Sequence, residues 1–243
     1  AKLLYLGKRG RADILLPVQY LCTRVKQPTK GDVQKLERVL GYLKQTITFK
    51  RRISDEPFER VEAYIDAAFG GHVDGKSQSG CVVTLGGTPV IEICRKQKIV
   101  SKDSTEAELV ALSDLTIEVE AMQEFLDELG ELMQVKLTKE SPVIFQDNTS
   151  TISLVTKGGG KPRTKYMKVR QEAVKEKVKR GDVRIEYITT SKMMADILTK
   201  PMNGEKLYRF VRALLNHIVP LLEQQGCVEQ NNKEHRIKTT PSG

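Results

Sequence analysis

The spacing of apolar residues divides the chain into a helical first part and a longer part in which strands and helices alternate. Residues 10–50 carry two apolar stripes at helical spacing, separated by the helix-breaking sequence at 28–31. Asp32 is the expected N-cap of the second helix. Two such helices cannot bury their apolar faces alone, so we expect them to pack on the rest of the protein or to mediate self-association. The stripes consist of Leu15, Val18, Leu21 and Val25, and of Leu36, Val39, Leu40 and Leu43.

After the helical part, the pattern changes to the alternation that is typical of strands. Val61, Ala63 and Ile65 alternate with polar residues, and two further apolar runs follow at 81–85 and 90–100. Paired glycines and an Asp-Gly step lie between these runs, and such residues favour tight turns. This part of the sequence therefore predicts a three-stranded antiparallel meander.

The remaining pattern predicts four helices and two more strands. Thr105 and Glu108 form an expected capping box at the start of a long helix over 105–129, and Gly130 is its expected end. The order β-β-β-α-β-α-α-β-α indicates an α/β protein with a mixed five-stranded sheet and helices on its faces. The other elements are strands at 143–145 and 183–187, helices at 149–156 and 164–180, a short helix between Ser191 and Pro201, and a polar, disordered tail from Gln224.

The amino-acid composition excludes several classes of protein. The chain is 39% hydrophobic and 29% charged, which is typical of a globular protein, and it contains no apolar run long enough to cross a membrane. The four cysteines and three histidines are far apart, so we expect reduced, intracellular thiols and no zinc site. Trp is absent, so stacking platforms for single strands are scarce. The start at Ala1, without Met or a signal peptide, predicts a piece of a longer chain.

The net charge of +9 is unevenly distributed. Residues 1–60 hold 14 Lys and Arg against 6 Asp and Glu, and residues 157–184 hold 11 against 3. Between them, residues 61–156 hold 7 against 16. An acidic centre between two basic segments fits a cation site within a polyanion-binding surface, although solvated helix faces would give the same charges.

Four acidic residues occupy positions that are otherwise apolar or strand-forming. Asp66 interrupts the first strand, Asp147 follows the apolar run 143–145, and Asp196 lies inside an apolar short helix. Glu108 projects onto the middle of the apolar stripe of the long helix, whereas Glu106 points away from it. Each acid could singly be a cap or a paired charge. If all four converge, their repulsion would raise their pKa values or require a counter-charge. Because His and Cys clusters are absent, a hard cation such as Mg²⁺ fits that charge best.

The motifs around these acids are similar to those of one family, and the chain resembles the ribonuclease H domain of copia-type LTR retrotransposons from about residue 8 to 215. The resemblance implies a ribonuclease H-like fold and a metal-dependent endonuclease that hydrolyses the RNA strand of RNA–DNA hybrids during reverse transcription. The motifs are Tyr64-Ile-Asp-Ala-Ala-Phe-Gly-Gly, Ser79-Gly-Cys-Val-Val-Thr-Leu-Gly-Gly, Lys96-Gln-Lys-Ile-Val with Ser104-Thr-Glu-Ala-Glu-Leu, Gln146-Asp147-Asn148, and Ala195-Asp196-Ile-Leu-Thr-Lys-Pro201.

The resemblance also implies a division of the chain. Residues 1–55 look like the end of a reverse transcriptase thumb and connection, 56–201 like the ribonuclease H domain, and 202–243 like a C-terminal helix with a disordered tail. The sequence departs from the family pattern at 163–172, where both family His residues are replaced, and at Ala68-Phe69. A catalytically weak or silent nucleic-acid-binding or structural module therefore stays open as the alternative.

The resemblance assigns roles to individual residues. Asp66, Glu108, Asp147 and Asp196 would be the catalytic, metal-binding acids, with Asp66 shared by two Mg²⁺ ions, for which Mn²⁺ could substitute. The expected partners are an RNA–DNA hybrid and the upstream polymerase region of the same polyprotein, with no membrane. The expected location is cytoplasmic, in a virus-like particle, with the nucleus as the alternative. The expected nucleic-acid contacts are Gln146, Asn148, Lys161, Arg163, Lys165, Lys168 and Arg170.

Overall fold

The computed structural model describes residues 1–157 and 164–216. Within them one sheet contains five strands: β1 (Glu62–Ala68), β2 (Gln78–Leu85), β3 (Thr88–Lys96), β4 (Val143–Gln146) and β5 (Arg184–Tyr187). The strand order is β3-β2-β1-β4-β5. The pairs β3–β2 and β2–β1 are antiparallel, and the pairs β1–β4 and β4–β5 are parallel. The meander and the mixed five-stranded α/β sheet that we expected are confirmed.

Helices cover both faces of this sheet, and three of them precede the first strand. The helix at the very start was not predicted. No helix in the described part of the chain is long and apolar enough to cross a bilayer. The helices are α1 (Lys2–Arg9), α2 (Leu15–Arg24), α3 (Lys30–Gln45), α4 (Ser104–Met133), α5 (Thr149–Thr156), α6 (Lys165–Arg180), α7 (Asp196–Thr199) and α8 (Gly204–Leu215), with 3-10 turns at Ala12–Ile14 and Thr190–Lys192.

The start of α4 differs from the expected capping box. The N-cap is Asp103, whose side chain accepts the backbone N–H of Glu106, so the expectation of a box between Thr105 and Glu108 is wrong. The Glu106 carboxylate in turn accepts the N–H of Lys102. Glu106 therefore takes part in hydrogen bonds at the start of α4, whereas the side chain of Glu108 is buried.

Two other helix ends also differ from expectation. The N-cap of α3 is Thr29 rather than Asp32, and the two residues form a capping box in which each side chain accepts the other's backbone N–H. α4 continues past Gly130 by three residues. A Cβ at Gly130 would lie 2.7 Å from the carbonyl oxygen of Val135, so this glycine permits a close approach of the chain instead of ending the helix.

The two faces of the sheet bury separate apolar clusters. One lies between the sheet and the helices α4 and α6, and includes Ile65, Leu112 and Ile144. The other joins β2 and β3 to α7, α8 and the first fifty residues. Members of the second cluster include Ala12, Leu15, Phe49, Val82, Cys94, Leu198, Phe210 and Leu214.

The turn Ala12–Ile14 and α2 therefore pack on the sheet side, which is one of the two outcomes that we expected, and α3 packs on α2. Polar contacts add to this packing. The backbone N–H of Arg52 donates to the carbonyl of Leu215 at 2.8 Å, and the Arg51 guanidinium pairs with Glu92 on β3. The domain boundary at residue 55 stays a prediction, as does the disordered tail, which lies outside the described residues.

Candidate active site

Three of the four predicted acids come together at one end of the sheet. Asp66 lies in the central strand β1, and Asp147 directly follows its parallel neighbour β4. The register that pairs Tyr64 with Phe145, continued by two residues, brings Asp66 level with Asp147. Glu108 reaches the same point from the second turn of α4. One carboxylate oxygen of each acid lies within 4.8 Å of the others, and no other such group occurs in the described residues.

Burial makes this cluster electrostatically strained. Asp66 is fully buried and Glu108 is 5% exposed. Burial, followed by repulsion from Asp66 and Asp147, raises the pKa of Glu108 well above its ordinary value. Burial also raises the pKa of Asp66, and the nearby Asp196 adds to this, whereas Lys200 and Thr199 oppose it.

The donor set fits a hard divalent cation. The three side chains offer only oxygen atoms, at a mutual spacing at which one ion can be bound by all of them. A cation among them would relieve the repulsion that raises the pKa of Glu108. The residues Asp66, Glu108 and Asp147 are therefore suited to Mg²⁺ or Mn²⁺ by the chemistry of their ligands.

Asp196 stands apart from these three acids. Its carboxylate is fully buried, and Lys200 Nζ lies 2.7 Å from Asp196 Oδ1 and 3.0 Å from Asp66 Oδ1. The ammonium thus bridges Asp66 and Asp196. We expected all four acids to form one cluster, but in the structure the cluster contains only three of them. The metal-binding role of Asp196 stays a prediction.

Gln146 connects the acids of the cluster through hydrogen bonds. Its side chain is fully buried, and its Oε1 accepts the backbone N–H groups of Asp147 at 2.8 Å and Asn148 at 3.1 Å. Its Nε2 donates to Glu108 Oε2 at 3.3 Å. Gln146 therefore orients Glu108 and Asp147, and its expected contact with nucleic acid stays a prediction. Asn148 caps α5 through Oδ1, which accepts the N–H of Thr151 at 3.0 Å.

Two threonines that no sequence pattern singled out also donate hydrogen bonds to the acids. Thr190 Oγ1 donates to Asp147 Oδ2 at 2.7 Å, and the Thr199 hydroxyl donates to Asp66. Thr199 belongs to the run 195–201, so its place beside Asp196 was a signal that could have identified it. Thr190 had no such signal, because only the turn after β5 brings it to Asp147.

The predicted basic contacts are only partly within the described residues. Lys165 and Lys168 are exposed on α6. Arg170 is instead bound to Asp114 of α4 and to the Tyr166 hydroxyl, with its guanidinium 4.7 Å from the Tyr166 ring centre. Arg170 thus fastens α6 to α4. Lys161 and Arg163 lie outside the described residues, and all these nucleic-acid contacts stay predictions.

Comparison with curated proteins shows what the chain is related to. It is 30% identical over 201 residues to the retrovirus-related Pol polyprotein from transposon RE1 of Arabidopsis thaliana, and 29% identical over 209 residues to that of transposon TNT 1-94 of Nicotiana tabacum. These matches cover 82% and 84% of the chain. The chain is homologous to Pol polyproteins of copia-type transposons. It spans only 13% and 15% of the length of these two relatives, and no protein-family model matches it.

Among solved structures, this Pol homologue is similar to ribonuclease H domains. LC11-RNase H1, isolated from compost, is 19% identical, with 58% of this chain and 93% of that chain covered and a TM-score of 0.41. The prototype foamy virus protease–reverse transcriptase is 12% identical, with 76% and 23% covered and a TM-score of 0.37.

Proposed function

We propose that this Pol homologue is a metal-dependent ribonuclease H that hydrolyses the RNA strand of RNA–DNA hybrids. The observation that carries the proposal is the cluster of Asp66, Glu108 and Asp147, whose oxygen atoms lie within 4.8 Å of one another at the end of β1. Homology to retrotransposon Pol polyproteins supports the same conclusion, because a match over 82% of the chain must include all three acids.

The proposed ligands of the first cation are the three clustered acids, and Asp66 and Asp196 are the proposed ligands of a second. Bound Mg²⁺, or Mn²⁺ in its place, would supply the charge that activates an attacking water and stabilises the leaving oxygen of a phosphodiester. Gln146 and Thr190 hold the acids in position. Exposed Lys165 and Lys168 would bind phosphate groups of the substrate, and Asn148 is the proposed contact to a ribose 2′-hydroxyl.

We extend the proposal to the setting of the reaction. The partners would be an RNA–DNA hybrid and the polymerase region of the same polyprotein. Foamy virus protease–reverse transcriptase, a structural neighbour, has been solved with such a hybrid. The proposed location is the cytoplasm, within a virus-like particle, and it follows only from the Pol relationship.

The test is cleavage of a labelled hybrid. The full chain should degrade the RNA strand in Mg²⁺ or Mn²⁺, leave a DNA duplex intact, and stop in chelator. Asp66→Asn and Asp147→Asn should each abolish the cleavage, because each removes a charged ligand from the cluster. Glu106→Gln is the matched control and should stay active, because Glu106 contacts only the start of α4.

Binding of the hybrid without cleavage would instead favour the silent module that the missing His residues suggest. In that case the wild-type chain and Asp66→Asn would retain the same hybrid affinity in metal and in chelator. Such a result would contradict the proposed activity.

A further inference from the structure

Lys200 occupies an unusual position between two carboxylates that water does not reach. Asp66 and Asp196 both have fully buried side chains, and the ammonium lies within 3.0 Å of an oxygen of each. Lys206, at 3.6 Å from Asp196 Oδ2, is the other described cation near this pair, and it forms no hydrogen bond to either acid. Two carboxylates so close together need a shared positive charge to remain ionised. In the structure that charge is Lys200.

Lys200, unlike the two acids that it joins, is partly exposed to solvent. It is the C-cap residue of α7, so its backbone has left the helix, and 39% of its side chain is exposed. A lysine stem has four rotatable bonds and carries its ammonium as a strongly hydrated point charge. The side chain can therefore swing into solvent without moving the strand that carries Asp66 or the buried α7.

The far oxygen of Asp196 is left without a hydrogen bond. Asp196 Oδ2 is buried and has no hydrogen-bond partner, although Asp196 Oδ1 is bound by Lys200. A buried carboxylate oxygen without a donor is costly, and it is a ready ligand for a cation. Asp66 and Asp196 thus form a pair of oxygen ligands that shares Asp66 with the Glu108 cluster and is bridged by Lys200.

We propose that Lys200 is a removable counter-ion that occupies the second cation position of the site. The metal-free protein then binds a first divalent cation through Asp66, Glu108 and Asp147, which are already close together. A second cation binds Asp66 and Asp196 only in competition with the Lys200 ammonium. The inference deepens the proposed function and rests on it, because it concerns the order and strength of metal binding at the same acids.

The experiment counts bound Mn²⁺ by calorimetry and by the loss of the spectroscopic signal of free Mn²⁺. The full wild-type chain should bind one Mn²⁺ strongly and a second one weakly. Lys200→Met keeps the apolar stem but removes the charge, and it should strengthen the second binding step by about tenfold or more, since no ammonium competes. Without metal the variant should melt at a lower temperature, and Mn²⁺ should raise that temperature more than in the wild type.

Two further variants control for nonspecific effects. Lys206→Met removes a charge that lies 3.6 Å from Asp196 Oδ2 without a hydrogen bond and does not contact Asp66, so it should strengthen the second step less than Lys200→Met does. The double variant Asp196→Asn/Lys200→Met lacks both charges of the pair and should bind one Mn²⁺ only. It also serves if Lys200→Met does not fold without metal, because it leaves one buried carboxylate without its counter-ion instead of two.

The outcomes separate this inference from the proposed function. If wild type and Lys200→Met bind one Mn²⁺ each with equal affinity, or if the double variant binds two, the counter-ion role is overturned while the three-carboxylate site stands. If no variant binds Mn²⁺ and Glu108→Gln makes no difference, both the inference and the proposed function fail.

Discussion

Glu108 is an acid at a position where its ionised form is disfavoured. It lies on the buried face of α4, accepts a hydrogen bond from Gln146, and faces Asp66 and Asp147. In the absence of a cation, burial and these two charges raise its pKa well above the ordinary 4.5. The folded protein therefore binds a proton at Glu108 over a pH range in which the unfolded chain has released it. This difference ties both stability and metal affinity to pH.

We predict that the metal-free protein loses stability as pH rises above about 4.5, the ordinary pKa of a Glu side chain. The folded state holds the extra proton, so each pH unit between the unfolded and the folded pKa removes about 1.4 kcal/mol. Above the folded pKa the loss is complete. Glu108→Gln cannot ionise, so it should show a smaller loss and greater stability at pH 8 in chelator. Urea unfolding at several pH values measures this.

Glu106→Gln is the control for this pH series. It removes an acid from the same helix turn without touching the cluster, so its stability should follow the wild-type pH dependence. An identical pH dependence in wild type and Glu108→Gln would show that Glu108 is not the group responsible.

At the residue scale, the sequence predicted the acids better than their partners. Asp66, Asp147 and Glu108 were recognisable because a charge in a strand, after an apolar run or on an apolar helix face is anomalous in local sequence. Thr190 and Lys200 carry no such anomaly, since a hydroxyl or a lysine is unremarkable anywhere on a surface. Their roles come from contacts across 43 and 134 residues of sequence, which local pattern does not contain.

At the element scale, a glycine on β2 allows the short helix α7 to lie close to the sheet. Gly80 pairs with Asp66 across the strands. A Cβ at Gly80 would lie 2.7 Å from Thr199 Cγ2 and 3.0 Å from the carbonyl oxygen of Ala195. The glycine thus lets α7 lie directly on the sheet, where Thr199 and Lys200 reach Asp66.

Gly80→Ala should therefore lift α7 away from β2. The new methyl group overpacks a buried contact, and we expect a loss of about 1–3 kcal/mol in the free energy of unfolding. Hybrid cleavage should fall as well, because Thr199 and Asp196 move relative to Asp66. Gly71→Ala is the control, since a Cβ there meets nothing within 4 Å. Equal stability and activity of the two variants would contradict this account of α7.

Element prediction succeeded where one face is buried and failed where packing overrides local signals. The alternation in β1 and the apolar stripe of α4 follow directly from one-sided burial. Gly130 was misread as a helix end, because a glycine that admits the Val135 carbonyl looks the same in sequence as one that stops a helix. α1 escaped notice since its eight residues contain a glycine and mostly exposed side chains.

At the scale of the whole molecule, the first fifty residues complete the second apolar cluster. Leu15 is 1% exposed among residues of β2, β3 and α8, whereas Val25 of the same predicted stripe is 73% exposed. Leu15→Ala should lower the free energy of unfolding by about 2–5 kcal/mol in a single cooperative transition. Val25→Ala should change it little. A separate, early transition in Leu15→Ala would instead support an independent module before residue 55.

The basic segment 157–184 belongs to this scale too, because we propose that its charge binds a long nucleic-acid substrate. It carries 11 Lys and Arg against 3 Asp and Glu. Part of that charge is used internally, since Arg170 pairs with Asp114 and Lys177 with Glu120. Lys165 and Lys168 remain exposed on α6, so they are the described residues of the segment that we expect to meet phosphates.

We predict that replacing Lys161, Arg163 and Lys165 together by Ala weakens hybrid binding and its salt dependence. Each neutralised phosphate releases counterions and contributes about −0.9 to the log–log slope, so the slope should flatten by up to about 3. Titrations at several salt concentrations measure the slope. Lys136→Ala is the control, because Lys136 is exposed and lies just after the C-terminal end of α4, whereas Glu108 lies near its N-terminal end. Mn²⁺ binding should be unaffected, since the acids stay intact. If affinity and slope both stay at wild-type values, the segment only solubilises the fold, and the substrate must follow another surface.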